Sequence, residues 1–298
     1  MDANDVKVFG VLGAGQMGAG IAQVAAQAGL SVKLCDVSLA VAEKAKAGIL
    51  AQLGRQVDKG KLDAATRDAT GARIEPIGDK AGFAPCDVVV EAATENTTLK
   101  LELLRGVDAV LREGALLATN TSSISITKLA AVTSRPTAFI GMHFMNPVPV
   151  MKLVEIVKGT ATSPETVELT RALAARFGKT VITSNDHPGF LVNRVLIPFL
   201  NEACLAYQDG VGSIEDLDQG AKLGLNHPMG PFELADLIGL DTVLAIAEVL
   251  QTQIGGDKYA PAVVLRNLVA AGWLGKKTKR GFYAYDDKGQ RGAASLSR

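Results

Sequence analysis

Residues 6–36 limit the fold of this 298-residue chain more than any other stretch. Val6-Lys7-Val8-Phe9-Gly10-Val11-Leu12 is a short β-rich run that ends in Gly13-Ala14-Gly15-Gln16-Met17-Gly18, a G-x-G-x-x-G directly behind a strand. Residues 19–28 then read as a helix closed by Gly29, and Ser31-Val32-Lys33-Leu34-Cys35 as a second strand ending on Asp36, eighteen positions after the last glycine. Each part has a mechanical reason. Gly13 makes the tight turn, Gly15 lets the backbone approach a pyrophosphate, and Gly18 lets helix and strand pack closely. The helix N-terminus, from Gln16 and Met17 on, offers N–H groups to phosphates. Asp36 would accept hydrogen bonds from a ribose and repel a 2′-phosphate. Glycines alone also make ordinary turns; the complete strand–glycine–helix–strand–acid unit predicts dinucleotide binding.

Length and composition set the frame around that unit. A single continuous core is not expected at this size, so two domains are. Lys+Arg and Asp+Glu are both 31, so no global field favours nucleic acid or an anionic membrane surface. Cys35, Cys86 and Cys204 stand far apart in apolar surroundings, without a C-x-x-C pair. They read as buried structural thiols in a reducing compartment. No apolar run is long enough to span a membrane, and the N-terminus carries neither a secretory h-region nor an Arg-rich leader. The expected setting is the cytoplasm, and no metal site is expected.

Along the chain, strands alternate with helices. Residues 37–60 read as an Ala-rich helix turning basic, 87–92 as a buried strand, 97–111 as a helix and 116–120 as the next strand. An apolar strand over 138–144 leads into Asn146-Pro147-Val148-Pro149, where two prolines forbid a helix, and the pattern turns apolar again over 150–157. A helix over 164–178 and a strand over 180–183 close this part. Such alternation predicts a largely parallel sheet. Polar residues recur just after strand ends: Glu95, Asn120, Ser122, His143 and Asn146. In a parallel sheet these ends share one rim, where open α/β sheets place their ligands. Glu155, returning on the next strand, could lie beside His143 and orient its imidazole. The plainer reading is a partly buried histidine satisfied by a backbone carbonyl.

Residues 184–189, Ser-Asn-Asp-His-Pro-Gly, form a linker dense in turn formers, and the helices beyond it show no strand pattern to about Gly272. The predicted organisation is α/β: an N-terminal Rossmann-type domain over 1–184, with a largely parallel sheet, and an all-helical domain over 185–298. Residues 190–207 carry polar side chains only at Asn193, Arg194, Asn201 and Glu202 and at the C-terminal Tyr207. A helix with so little polar face needs cover on most sides, and the helical domain is small. A homodimer through the C-terminal helices is expected, the alternative being burial against the chain's own first domain.

Taken with Asn120-Thr121-Ser122-Ser123, His143 through Pro149, Glu155, Pro188 through Arg194, His227 through Glu233 and the terminal Lys276-Lys277-Thr278, the fingerprint resembles the short-chain L-3-hydroxyacyl-CoA dehydrogenases, in particular the bacterial 3-hydroxybutyryl-CoA branch. The resemblance spans essentially the whole chain. It implies NAD(H)-dependent interconversion of 3-hydroxyacyl-CoA and 3-ketoacyl-CoA, with His143 as general acid–base and Glu155 orienting it. It places Ser122 and Asn193 around the reacting oxygen, so the second domain would help complete the site on closure. Cofactor contacts map onto Asp36, Glu95, Lys100, Asn120, Ser122, Asn146 and Lys277, beside the glycine loop. Substrate contacts map onto Ser122, Asn193, Lys59 and Lys100, although Gln52 stands where relatives often carry serine. Two other readings stand beside this one: a sugar-acid dehydrogenase of the same superfamily, and a dinucleotide-binding protein without turnover.

Overall fold

The computed structural model describes residues 2–296 and divides into two compact units, 1–187 and 188–298. The first unit is an eight-stranded sheet with helices on both faces. Its strands are β1 (Val8–Leu12), β2 (Ser31–Cys35), β3 (Ile74–Ile77), β4 (Val88–Glu91), β5 (Leu116–Thr119), β6 (Phe139–Phe144), β7 (Leu153–Lys158) and β8 (Thr180–Asn185). Helices α1 (Gln16–Gln27), α2 (Leu39–Asp58), α3 (Ala64–Arg73), α4 (Thr97–Asp108), α5 (Ile126–Ala130) and α6 (Pro164–Arg176) lie between them. The order is β3-β2-β1-β4-β5-β6-β7-β8. Strands β1 to β6 are mutually parallel, as the alternation predicts. The single reversal is β7, antiparallel to β6 and parallel to β8. The order in which successive strands join the sheet switches sides between β1 and β4, which opens a crevice at their C-terminal ends.

The central strands are apolar on both faces because helices cover both. Val88, Val89 and Val90 of β4 are fully buried, as are Leu117 and Ala118 of β5. Strand β3 has no counterpart in the sequence reading. It is an edge strand, and its Pro76 lacks the N–H that a central strand would need. The first unit also runs to His187, three residues beyond the division read at 184. Strand β8 continues to Asn185, and the Asp186 carboxylate accepts from the Ser125 hydroxyl at 2.7 Å and from the Ile126 and Thr127 N–H groups at 3.0 and 2.8 Å. Those bonds tie the end of the segment to the start of α5.

The second unit packs α7 (Val192–Gln208), α8 (Ile214–Gly224), α9 (Pro231–Ile238), α10 (Leu240–Ile254) and α11 (Val263–Ala270) around its own apolar core. It is not wholly helical: β9 (Tyr283–Tyr285) and β10 (Arg291–Ala294) form a small antiparallel pair. Three residues of alternating Tyr-Ala-Tyr are too short a strand signal to stand out from a tail. Helix α7 buries a different face from the one its composition suggests. Asn193 and Asn201 point inward with Ile197, Leu200 and Cys204. Asn201 can be buried because it donates to the Ala260 carbonyl at 2.9 Å and accepts from the Ala262 N–H at 2.8 Å. Val195 is left 69% exposed.

Two buried carboxylates fasten the terminal hairpin. Asp236 accepts from the Phe282 and Tyr283 N–H groups, both at 2.9 Å, and from the Tyr285 hydroxyl at 3.0 Å. Asp218 accepts from the Phe232 N–H and the Tyr283 hydroxyl. Burial pushes the Asp236 carboxyl up to about 6, outweighing its hydrogen bonds. Asp236→Asn brings an amide to a point where three donors converge, so urea unfolding is expected to show a loss on the order of 3 kcal/mol. A carboxyl raised on folding contributes stability that is present below its ordinary value of 3.8 and is lost as pH rises through about 6. The margin between the unmodified protein and the variant should therefore narrow across that window; a margin that widens would contradict the assignment.

Candidate active site

The glycine loop turns between β1 and α1 as the spacing requires. Gly13 has φ +104°, and a Cβ there would stand 2.6 Å from the Ala92 carbonyl oxygen. At Gly18 a Cβ would fall 1.7 Å from the Gly13 oxygen, so the first turn of α1 lies directly on the loop. Gly15 differs: an added Cβ meets nothing within 4 Å, because it faces an open groove. That groove, about 610 Å³, is lined by Gly13, Gly15, Gln16, Met17, Asp36, Ala93, Thr94 and Leu99. Asp36 is pinned at its lip, accepting from the Ala14 N–H at 2.5 Å and its own neighbour Val37 N–H at 2.7 Å. Helix α1 starts with Gly15 as its N-cap and no capping side chain, so no side chain covers its first N–H groups.

Further along the same rim, β6 and β7 bring two residues twelve apart in sequence face to face. The antiparallel register sets His143 directly opposite Glu155, on one side of the sheet. Histidine Nδ1 lies 3.1 Å from Glu155 Oε2, with His143 6% exposed and Glu155 fully buried. Facing a carboxylate, Nδ1 carries the proton, which assigns the ring's lone pair to Nε2. Asn120 accepts from the Phe144 N–H at 2.9 Å, bracing the strand beside the histidine. Glu95 gathers the loop after β5: its Oε1 accepts from the Thr121 hydroxyl at 2.5 Å and the Ser122 N–H at 2.8 Å.

Asn146 is exposed on the loop after β6 and precedes a cis peptide bond to Pro147. Lys179 holds that loop, donating to the Val148 and Met151 carbonyls at 2.5 and 2.9 Å; no sequence motif singles it out. With Gln16, Lys44, Gln52 and Pro149, Asn146 lines a second groove of about 480 Å³, which shares Gly15 and Gln16 with the first. Lys59 is exposed at the C-terminal cap of α2, outside the residues lining either groove. Lys100 is only 1% exposed, its ammonium 2.7 Å from Glu91 Oε1 and 3.4 Å from Glu95 Oε2. Asn193 and Lys277 belong to the second unit, Asn193 9% exposed in α7 and Lys277 bound to both oxygens of Asp241. The three cysteines are buried and unpaired, and burial pushes their thiols up to about 11 at Cys35 and about 12 at Cys86 and Cys204. That environment suits packing rather than nucleophilic chemistry.

A doubly wound sheet with a phosphate-ready glycine loop, an acid at the second strand and a histidine–carboxylate pair on the same rim defines a nicotinamide-type dehydrogenase. Comparison with known proteins narrows the class. The family model described as 3-hydroxyacyl-CoA dehydrogenase, NAD binding domain, matches residues 8–187, and the one for the C-terminal domain matches residues 189–285. A Bacillus subtilis protein named probable 3-hydroxybutyryl-CoA dehydrogenase is 49% identical over 284 residues, covering 95% of this chain and 99% of its own. The 3-hydroxybutyryl-CoA dehydrogenase of Bradyrhizobium diazoefficiens is 48% identical over 280 residues, covering 94% and 96%. Among solved structures, (S)-3-hydroxybutyryl-CoA dehydrogenase from Ralstonia eutropha superposes with a TM-score of 0.92 at 49% identity, covering 95% of this chain and all of that one. The chain belongs to the 3-hydroxyacyl-CoA dehydrogenase family.

Proposed function

We propose that this protein interconverts (S)-3-hydroxybutyryl-CoA and acetoacetyl-CoA with NAD(H). The observation that carries the reading is the His143–Glu155 pair, set by strand register on the rim that also bears the glycine loop and Asp36. The residues present fit a dinucleotide: Gly15 leaves the space a pyrophosphate needs, α1 offers its N–H groups, and Asp36 stands where a ribose would be met. When bound, NAD supplies the hydride acceptor. His143 takes the proton from the substrate's 3-hydroxyl at Nε2, and Glu155 stabilises the imidazolium that forms. In the reductive direction His143 returns that proton to the oxygen. Ser122 donates a hydrogen bond to the same oxygen and favours the charge that develops there.

Asn193 as a second donor and Lys277 as a cofactor contact rest on the family resemblance. So does Lys59, whose exposed ammonium suits an anionic CoA group, while Lys100 contributes through Glu95. Cytoplasmic location is proposed on the three reduced, buried cysteines; no helix among the described residues is long and apolar enough to cross a membrane. A homodimer is proposed through the second unit, supported by apolar side chains left in solvent there: Val195, Val211 and Leu223 are 69%, 73% and 76% exposed. Light scattering over a wide concentration range tests it, and a monomer persisting at micromolar concentration counts against it.

The test of function is a steady-state comparison of acetoacetyl-CoA, longer 3-ketoacyl-CoAs and hydroxy sugar acids with both nicotinamide cofactors. NADH should be strongly preferred to NADPH, because a 2′-phosphate beside the Asp36 carboxylate meets repulsion. Asp36→Ala should narrow that preference by about tenfold or more, the scale of one lost charge contact in a partly buried site. Equal use of both cofactors by the unmodified protein would overturn the role of Asp36. Turnover of sugar acids alone would overturn the substrate.

A further inference from the structure

One carboxylate that no motif singles out ties together several element ends of the first unit. Glu91 closes β4 and is fully buried. Its Oε1 accepts from the Ala93 N–H at 2.6 Å and from Lys100 Nζ at 2.7 Å, and its Oε2 accepts from the Thr119 hydroxyl at 2.6 Å. Lys100 also donates to the Ala93 carbonyl at 3.1 Å and lies 3.4 Å from the second oxygen of Glu95. Glu95 in turn holds Thr121 and the Ser122 and Ser123 N–H groups. Thr119 directly precedes Asn120, which braces the strand beside His143.

Apolar side chains could fill this space, and a buried ion pair is weak support for stability. Its distinctive property is geometric. The Lys100 ammonium is shared between Glu91 and Glu95, so the fully buried carboxylate decides where the more exposed one stands. The Thr119 bond fixes the end of β5 from the same anchor. We propose that Glu91 is a positioning residue for the reaction: through Lys100 and Thr119 it holds Glu95 and segment 119–123, and so presents Ser122 at one place. This rests on the role given to Ser122 above.

The test is Glu91→Gln, which keeps volume and removes the charge, assayed with acetoacetyl-CoA and NADH alongside Lys100→Met and the double variant. Glu91→Gln should lower kcat about tenfold or more with a much smaller change in KM, the scale of a slight misplacement in a preorganised site. Amide hydrogen exchange at residues 122–124 should quicken in the folded variant. The double variant removes both buried charges and leaves only the half-exposed Glu95 carboxylate without its cation, so it should regain thermal stability but not kcat, which a merely structural pair would not give. Thr119→Val removes the hydroxyl that donates to Glu91 at 2.6 Å and accepts from the Thr121 N–H at 3.3 Å, and should show the same pattern more weakly if Glu91→Gln folds poorly. A folded Glu91→Gln protein with kcat within about twofold of the unmodified one, or a double variant whose kcat returns with its stability, overturns the proposal. Full activity in Ser122→Ala would overturn the reading of Ser122 separately, and exchange at 122–124 would still report whether Glu91 holds that segment.

Discussion

His143→Ala is expected to lower kcat by at least about a hundredfold while leaving NADH affinity nearly unchanged, the range typical of lost general acid–base catalysis. Glu155→Gln should fall by a similar factor for a related reason. A glutamine keeps the shape of the side chain but not its charge, so it no longer stabilises the imidazolium. It can also turn its amide toward Nδ1 and favour the wrong tautomer. Because the two side chains meet at 3.1 Å and would act through one proton in the proposed mechanism, the double variant should lose little more than the worse single one. Fluorescence titration of NADH separates binding from turnover. A fully active His143→Ala protein would remove the mechanism, and strictly additive losses would mean that the two residues act apart.

Gly18→Ala should abolish cofactor binding. The added methyl would fall 1.7 Å from the Gly13 carbonyl oxygen, a backbone atom of the turn that forms the phosphate cradle. Neither α1 nor the loop can move aside without opening the other, since a Cβ at Gly13 would likewise meet the Ala92 backbone. NADH affinity should drop by more than about a hundredfold, with a stability loss of about 1–3 kcal/mol, as for other overpacked sites. Gly48→Ala is the matched control. It lies in α2, an added Cβ there meets nothing within 4 Å, and alanine is the better helix former by about 1 kcal/mol. Gly48→Ala should bind NADH normally and unfold no earlier. If Gly18→Ala behaved the same way, the close-packing role of Gly18 would fail.

Legibility in the sequence followed the range of the interactions. The glycine loop, α1 and Asp36 lie within one βαβ unit, so short-range spacing carries them completely. The largely parallel sheet was readable because strands covered on both faces are almost uniformly apolar. Strand β3 was not, since an edge strand of four residues containing Pro76 lacks that pattern. The terminal hairpin was missed because what makes it a strand pair is Asp236, 46 and 47 positions away, accepting from its backbone. Composition misled at α7, where Asn193 and Asn201 counted as the outer polar stripe. Asn201 turns inward because the 260–262 backbone needs both a donor and an acceptor there.

At the site, residue types and order in the chain were enough to nominate His143 and Glu155 as partners. Only tertiary structure decided that β7 returns antiparallel in the register that puts them opposite each other, since a slip of one residue would send Glu155 to the other face of the sheet. The same division holds for Lys100. The family resemblance places it at the cofactor and substrate, and folding buries it between Glu91 and Glu95. A charge in sequence looks alike whether it meets solvent or another charge. Local chemistry therefore determined the dinucleotide fingerprint and the candidate acid–base residues. Pairings between distant segments decided which charges face the groove and which ones hold it in shape, because burial and hydrogen-bond partners are properties of the folded chain.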